Sequence, residues 1–311
     1  MSDIKDEATF DVIIIGAGPA GLTAGLYAAR AGLSVAVFER ISPGGQLAQT
    51  AEVENYPGFP NGAEGWQLAF DMQQQALNFG VKIITEEVTA VDFSAEAKTV
   101  TTPGGTYAAK AVIVATGAHH RELGLAGEHE LAGKGISYCA TCDGNFFRGK
   151  DVIVVGGGNT AVGDAMYLSR ICNKVYLVHR RDKLRATAVY NDRLAALENV
   201  EFVWNSVPEE ILSADGKVSG LRVRNNQTGD SRNIAASAVF VAVGNAPSTD
   251  FLRGALELDG AGYVVADESG KTSVPGVFVA GDVRTKALRQ VVTAVADGAL
   301  AAENAAEFIA L

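Results

Sequence analysis

Positive charge, cysteine and proline are all scarce in this chain of 311 residues. Lys and Arg total 26 against 36 Asp and Glu, which leaves a net charge of −10. A surface this acidic does not attract polyanions, which argues against nucleic acid or an anionic membrane as the main partner. The three cysteines, Cys139, Cys142 and Cys172, are too few for a disulfide scaffold. Eight prolines rule out linker-like low complexity. No uncharged apolar run approaches the roughly 18 residues of a membrane span. The opening MSDIKDEATF is polar and acidic and lacks the basic and apolar regions of a signal peptide. The expected location is the cytosol.

Hydrophobic residues make up 48%, enough for packed cores, and the length fits about two domains. Glycine is in excess, at 35 of 311 residues against a usual share of roughly 7%. Its positions repeat. FDVIIIGAGPAGLTAGLYAARAGLSVAVFER reads as a buried strand at 10–15, a glycine turn, a helix and a second strand at 33–39. A continuous apolar run of this kind fits a parallel strand covered on both faces. Pro19 suits the first helical turn and Gly32 the helix end. DVIVVGGGNTAVGDAMYLSRICNKVYLVHRR repeats the order, with strands at 151–155 and 174–179. Each copy closes on an apolar strand ending in glycine, AVIVATG at 111–117 and AVFVAVG at 238–244. The pattern is an internal duplication of a nucleotide-binding unit.

A third strand with glycine, VPGVFVAGD at 274–282, precedes an Ala-rich helix at about 289–309 and has no second half of its own. It reads as the chain returning to its first domain. The expected fold is therefore α/β, with two Rossmann-like dinucleotide-binding domains, the second inserted into the first. The first occupies 1–119 and 249–311, and the second 120–248. The crossings fall near 118–122 and 245–250.

Gly16, Gly18 and Gly21 form G-x-G-x-x-G in the required strand–turn–helix–strand setting. The first permits the sharp turn, the second admits a pyrophosphate, and the third lets helix pack on strand. The helix N-terminus offers free N–H groups to that pyrophosphate. Glu39, 21 residues after Gly18, stands where a carboxylate binds ribose hydroxyls. Gly156, Gly158 and Ala161 form the variant G-x-G-x-x-A. At its equivalent position stands His179, followed by Arg180, Arg181 and Arg185. Guanidinium groups favour a 2′-phosphate, and hence NADP over NAD. The acid-bearing site suits FAD and the basic site NADPH, a pairing that implies hydride transfer.

CATCD places Cys139 and Cys142 just before the second fingerprint. A zinc site needs a second pair or histidines at ligand spacing, and neither accompanies it. A buried structural pair and a redox dithiol both fit the spacing, and the dithiol is favoured. Asp143 then stands where a proton must move as thiol and thiolate interconvert. Cys172 reads as a packing cysteine, and His119 and His120 as surface residues at a crossing.

The combination IIIGAGPAG, GGQL, CATCDG, VVGGGNTAV, HRRDKLRA and VFVAGD, in order over nearly the whole chain, resembles the bacterial-type, low-molecular-weight thioredoxin reductases, a branch of the pyridine nucleotide-disulfide oxidoreductases. The resemblance implies flavin contacts at Gly16, Gly18, Gly21 and Glu39, continuing at Gly45, Gln46, Leu47, Asn55, Val88, Thr116 and Gly117. Later flavin contacts fall on Gly281, Asp282, Arg289, Gln290 and Val291. It implies NADPH contacts at Gly158, Asn159, Thr160, His179, Arg180, Arg181 and Arg185. It further implies that Cys142 faces the flavin, that Cys139 attacks the disulfide of thioredoxin, and that Asp143 is the proton donor. With no further ligands at zinc spacing no metal is expected, and the resemblance implies a cytosolic homodimer. One departure stands out: many members read AVEEA where this chain reads AVGDA. Gly163 thus replaces a glutamate on the nicotinamide side, and whether Asp164 stands in for it is open.

One flavin face cannot serve nicotinamide, dithiol and protein substrate at once, so rotation of the inserted domain between half-reactions is expected. Rival readings predict other features. A ferredoxin–NADP reductase of this architecture lacks the redox C-x-x-C, and a small-molecule dithiol oxidase lacks the arginine cluster. A dinucleotide-sensing module leaves the cysteine pair without a role.

Overall fold

A computed structural model describes residues 9–50, 52–185, 193–194 and 196–311. It divides into two compact units, the first comprising Met1–His119 and Ala246–Leu311, the second His120–Asn245. The two crossings, Ala118–His120 and Asn245–Pro247, pair with each other as a two-stranded ribbon. The return crossing lies short of the 248 read from the sequence because Ser248 belongs to the first unit. Its N–H donates to the Gly117 carbonyl at 3.1 Å, and its own carbonyl accepts from the Thr116 hydroxyl at 2.8 Å.

In the first unit, seven strands among the described residues form one sheet. Thr9–Ile15 lies between Val35–Glu39 and Gly105–Val114, parallel to both, with Ile14 beside Val37 and Ile113. Lys82–Thr85 and Val277–Val279 extend the parallel part, and Lys98–Thr102 and Ala90–Asp92 add antiparallel strands. Alternation along the first strand feeds two cores. Val12 and Ile14 pack under helices, while Ile13 and Ile15 enter the opposite face with Phe38, Val112 and Val114. Both faces are covered, which explains the unbroken apolar run.

Helix Pro19–Arg30 follows the first strand and packs on the C-terminal helix Val291–Ala310. That helix buries Ala294, Gly298, Ala301, Ala302 and Ala305. A Cβ at Gly298 would overlap the Ala20 carbonyl, so the alanine-rich composition serves close helix–helix approach.

Among the described residues the second unit has a five-stranded parallel sheet in the order Ile136–Ser137, Ala238–Ala242, Asp151–Gly156, Lys174–Val178, Val200–Val203. Helix Asn159–Leu168 covers one face. An antiparallel layer, Ser206–Ala214, Lys217–Asn225 and Ser231–Ala235, closes the other. Among the described residues no helix is long and apolar enough to cross a membrane.

Candidate active site

At the first glycine turn the three glycines differ in what they accommodate. Gly16 has φ +104°, and a Cβ there would overlap the Ala115 carbonyl. A Cβ at Gly21 would overlap the Gly16 carbonyl, so this residue sets the approach of helix to strand. Nothing of the protein lies within 4 Å of a Cβ at Gly18. That space, at the N-cap of helix Pro19–Arg30, opens onto backbone N–H groups with no intrahelical partner. Glu39 ends the second strand. Its carboxylate accepts the N–H groups of Ala17 at 3.0 Å and Ile41 at 3.2 Å, which ties it to the turn. Two oxygens with about four lone-pair sites leave capacity for ribose hydroxyls.

The other expected flavin contacts also lie in the first unit. Gly45 opens a short helix, Gly45–Ala48, after Gly44, whose N–H donates to the Ala17 carbonyl at 2.7 Å. Leu47 and Val88 are buried. The Gln46 side-chain amide donates to the Ala118 carbonyl, and Gly117 turns the chain with φ +69°. Asn55 and Gln290, 235 residues apart, join through their side-chain amides at 3.0 Å. Gln290 caps helix Val291–Ala310 in a reciprocal capping box with Thr293.

Asp282 has one carboxylate oxygen, Oδ1, that is buried without a hydrogen-bond partner. Burial pushes its carboxyl above the usual range, although Lys286 and Arg289 pull the other way. A buried acceptor left unpaired is costly unless a ligand hydroxyl serves it. This orphan, with the opening at Gly18, is what a dinucleotide such as FAD would complete, so the residues fit that group. Arg289 lies over the Tyr263 ring at 4.1 Å and donates from Nε to the Asp282 carbonyl at 3.3 Å.

Asp297 carries no motif in the sequence. It accepts from the Gly281 N–H at 3.0 Å, from Arg284 Nε at 2.9 Å and Nη2 at 3.0 Å, and from Lys286 Nζ at 2.8 Å. Through Gly281 it fixes the segment that carries Asp282. An acid sixteen residues beyond the VFVAGD glycine is its only sequence signal.

In the second unit, Gly156 makes the sharp turn with φ +158°, and Gly158 again faces open space at the N-cap of helix Asn159–Leu168, which starts with Asn159 and Thr160. The intervening Gly157 is needed for packing, because a Cβ there would overlap the His179 ring. His179 is 6% exposed and its Nε2 has no partner. Burial first, then Arg180 and Arg185, hold its pKa below the ordinary value. It is therefore neutral near pH 7, and the positive charge of the cluster comes from Arg180, Arg181 and Arg185, all exposed. The Asn226 side chain anchors the Arg180 carbonyl at 2.8 Å. Ala186, the last residue of HRRDKLRA, lies outside the described residues.

Gly163 is exposed, and a Cβ there meets nothing. Asp164 is partly buried, and burial pushes its carboxyl up to about 7. Consecutive helical residues point about 100° apart, so Asp164 leaves the helix in a different direction from a side chain at 163.

Cys139 and Cys142 are bonded as a disulfide, with Cα atoms 5.3 Å apart. Cys139 is the N-cap of one helical turn, Ala140–Asp143, and Cys142 lies within that turn. Asp143 accepts from the Ser137 hydroxyl at 2.7 Å. Burial raises its pKa and the Ser137 bond opposes the rise. Tyr138, just before the pair, stacks on His120 with centroids 3.5 Å apart and donates to Glu128 at 3.0 Å. His120 is therefore part of a packed cluster, not a plain surface residue. Glu128, 1% exposed, also accepts the N–H groups of Leu123, Gly124 and Leu125. Cys172 is buried, with its thiol toward the Phe147 carbonyl at 3.4 Å. Among the described residues no three His, Cys, Asp or Glu side chains gather as a metal site requires.

Comparison with known proteins gives one consistent result. Residues 10–298 match the family described as pyridine nucleotide-disulphide oxidoreductase. A thioredoxin reductase of Listeria monocytogenes is 48% identical over 305 residues, covering 98% of this chain and 95% of that protein. Among solved structures, the thioredoxin reductase of Streptococcus pyogenes is 44% identical with TM-score 0.91, covering 97% of this chain and 99% of its own. That of Lactococcus lactis, in its FR conformation, is 41% identical with TM-score 0.68 at the same coverage.

Proposed function

The chain belongs to the pyridine nucleotide-disulphide oxidoreductase family, among its thioredoxin reductases, and from that premise we propose how its residues divide the work. It is an NADPH-dependent oxidoreductase acting on the disulfide of thioredoxin. The first unit holds FAD through the Gly16–Gly18–Gly21 turn, Glu39 and the orphaned oxygen of Asp282. The second holds NADPH, with Gly158 at the pyrophosphate and Arg180, Arg181 and Arg185 on the 2′-phosphate. Bound FAD supplies the two-electron relay between nicotinamide and disulfide.

The observation that carries this reading is the bonded Cys139–Cys142 pair, in the unit with the arginine-bearing fingerprint and one residue from a partly buried carboxyl. Two electrons break that bond. The resulting Cys139 thiolate attacks the thioredoxin disulfide to form a mixed disulfide, and Cys142 attacks its sulfur to release the dithiol product. Asp143 supplies a proton to the newly formed dithiol. The second unit turns between half-reactions about the paired crossings.

The working form is a cytosolic homodimer that binds neither nucleic acid nor membrane. Trp66, Phe70 and Leu77 lie along one outward face of helix Gly65–Asn78 and are exposed, which supports association of two copies. Cys139→Ser and Cys142→Ser test the core assignment. Each variant should still have its flavin bleached by NADPH and should no longer reduce thioredoxin. Normal thioredoxin reduction by either would refute it.

A further inference from the structure

We propose that Ser137 is a positioning residue for the proton chemistry of Asp143, its hydroxyl serving the carboxyl in both of its charge states. The proposal rests on the reading of Asp143 as proton donor to the dithiol.

Ser137 Oγ stands among three polar groups. It is 2.7 Å from Asp143 Oδ2, 3.3 Å from the Cys139 carbonyl, and accepts the Cys139 N–H at 3.2 Å. A hydroxyl has one proton to give and two lone pairs to accept with. When Asp143 is ionised, Ser137 donates to the carboxylate. When Asp143 carries its proton, the acid donates to Ser137 Oγ and the hydroxyl hydrogen turns to the Cys139 carbonyl. Neither state leaves a buried group unpaired, which is the costly condition.

The hydroxyl is also held in place. Ser137 is 4% exposed and belongs to a strand of the parallel sheet, with Ile136 beside Val239 and Ser137 beside Phe240. Such support keeps donor and acceptor in register better than a loop would. The neighbouring elements bring little charge to Asp143. The turn Gly144–Phe147 and the strand Ala238–Ala242 have no charged residue. Helix Asn159–Leu168, packed on the Ala140–Asp143 turn, contributes Asp164 and the phenol of Tyr167, whose ring lies against Gly144, and Tyr138 contributes a phenol hydrogen-bonded to Glu128. Burial and Ser137 are the influences that shift Asp143.

The chemistry needs both charge states. Two electrons from NADPH break the Cys139–Cys142 bond, and two thiols require two protons. One accompanies the hydride of NADPH. Asp143 gives the other and is re-protonated from water, so NADPH, one proton and the disulfide become NADP+ and the dithiol.

The test uses FAD-loaded Ser137→Ala, Asp143→Asn and the double variant. Flavin bleaching by NADPH, which does not need the dithiol, should persist in all three and reports an intact fold. In Ser137→Ala burial acts on Asp143 unopposed, so the acid keeps its proton to higher pH. The alkaline limb of thioredoxin turnover should move upward by roughly one pH unit, the worth of one hydrogen bond to a charged group. Adding Ser137→Ala to Asp143→Asn should change nothing further. If Asp143→Asn is impaired and Ser137→Ala lowers turnover equally at every pH, or leaves the profile in place, the role assigned to Ser137 is overturned. If Asp143→Asn turns over at the wild-type rate, the proton-donor reading itself fails, and this proposal with it.

Discussion

Arg185 donates its backbone N–H to the carbonyl oxygen of Gly157 at 2.7 Å. The arginine segment and the second glycine turn are thereby tied together, so that a dinucleotide bound as proposed would find this segment already held beside the turn. Fixed geometry of this kind reduces the ordering cost of binding.

Replacing Arg180 or Arg181 with alanine should raise the Michaelis constant for NADPH on the order of tenfold each. A charge-assisted hydrogen bond contributes about 1.5–3 kcal/mol, and 1.4 kcal/mol is tenfold. The constant for NADH, which lacks the 2′-phosphate, should stay nearly unchanged. Steady-state kinetics with both nucleotides decides it, and equal losses would remove these arginines from the phosphate site.

Gly157 and Gly163 should respond oppositely to alanine. At Gly157 the new Cβ overlaps the His179 ring, so NADPH binding should be lost while the first unit still retains FAD. At Gly163 the Cβ meets open space within a helix, and alanine is favoured there by about 0.5–1 kcal/mol. Gly163→Ala should therefore raise Tm by a few degrees. Calorimetry and nucleotide titration of both variants separate the two cases.

How much of the fold and the candidate site is legible in the sequence depends on the range over which each feature is fixed. The glycine turns, Glu39 at the end of the second strand and the cysteine pair sit in short stretches where spacing alone prescribes geometry. The two cores follow from alternation in strands such as Thr9–Ile15. The supporting contacts are another matter. Asn55 meets Gln290 across 235 residues, and nothing local to either announces the other. His179 reads as part of a basic cluster, yet the fold buries it on Gly157 and depresses its pKa. Ser137 lies only six residues from Asp143, but an ordinary serine on a strand has no signature until the following turn brings the carboxyl back to it.

Asp282 makes a prediction with two opposite signs. Its Oδ1 is buried without a partner, and burial raises its pKa. Replacement by alanine removes a desolvated acceptor and should stabilise the apoprotein. The same change removes a group that would meet the flavin, so FAD should be retained less well on gel filtration. A variant less stable as apoprotein and unchanged in FAD retention would contradict both parts.

Asp297 should matter most to the stability of the first unit. Burial alone would raise its carboxyl, but hydrogen bonds and charge from Arg284 and Lys286 outweigh burial and hold it below the usual range. The side chains of Arg284, Lys286 and Asp297 are 5%, 6% and 11% exposed. Removing the carboxylate takes the nearest anion from two buried cations and leaves Arg284 only the exposed Glu268 at 3.6 Å, and losses of about 3–5 kcal/mol attend such a break. Because the folded pKa lies below the unfolded one, the contribution is fully present above about pH 4 and is lost as pH falls through the folded value. The Tm gap between wild type and Asp297→Ala should therefore be wide at pH 7 and should narrow below pH 4. A gap that held constant across that range would mean that the charge of Asp297 is not what stabilises the loop carrying Gly281 and Asp282.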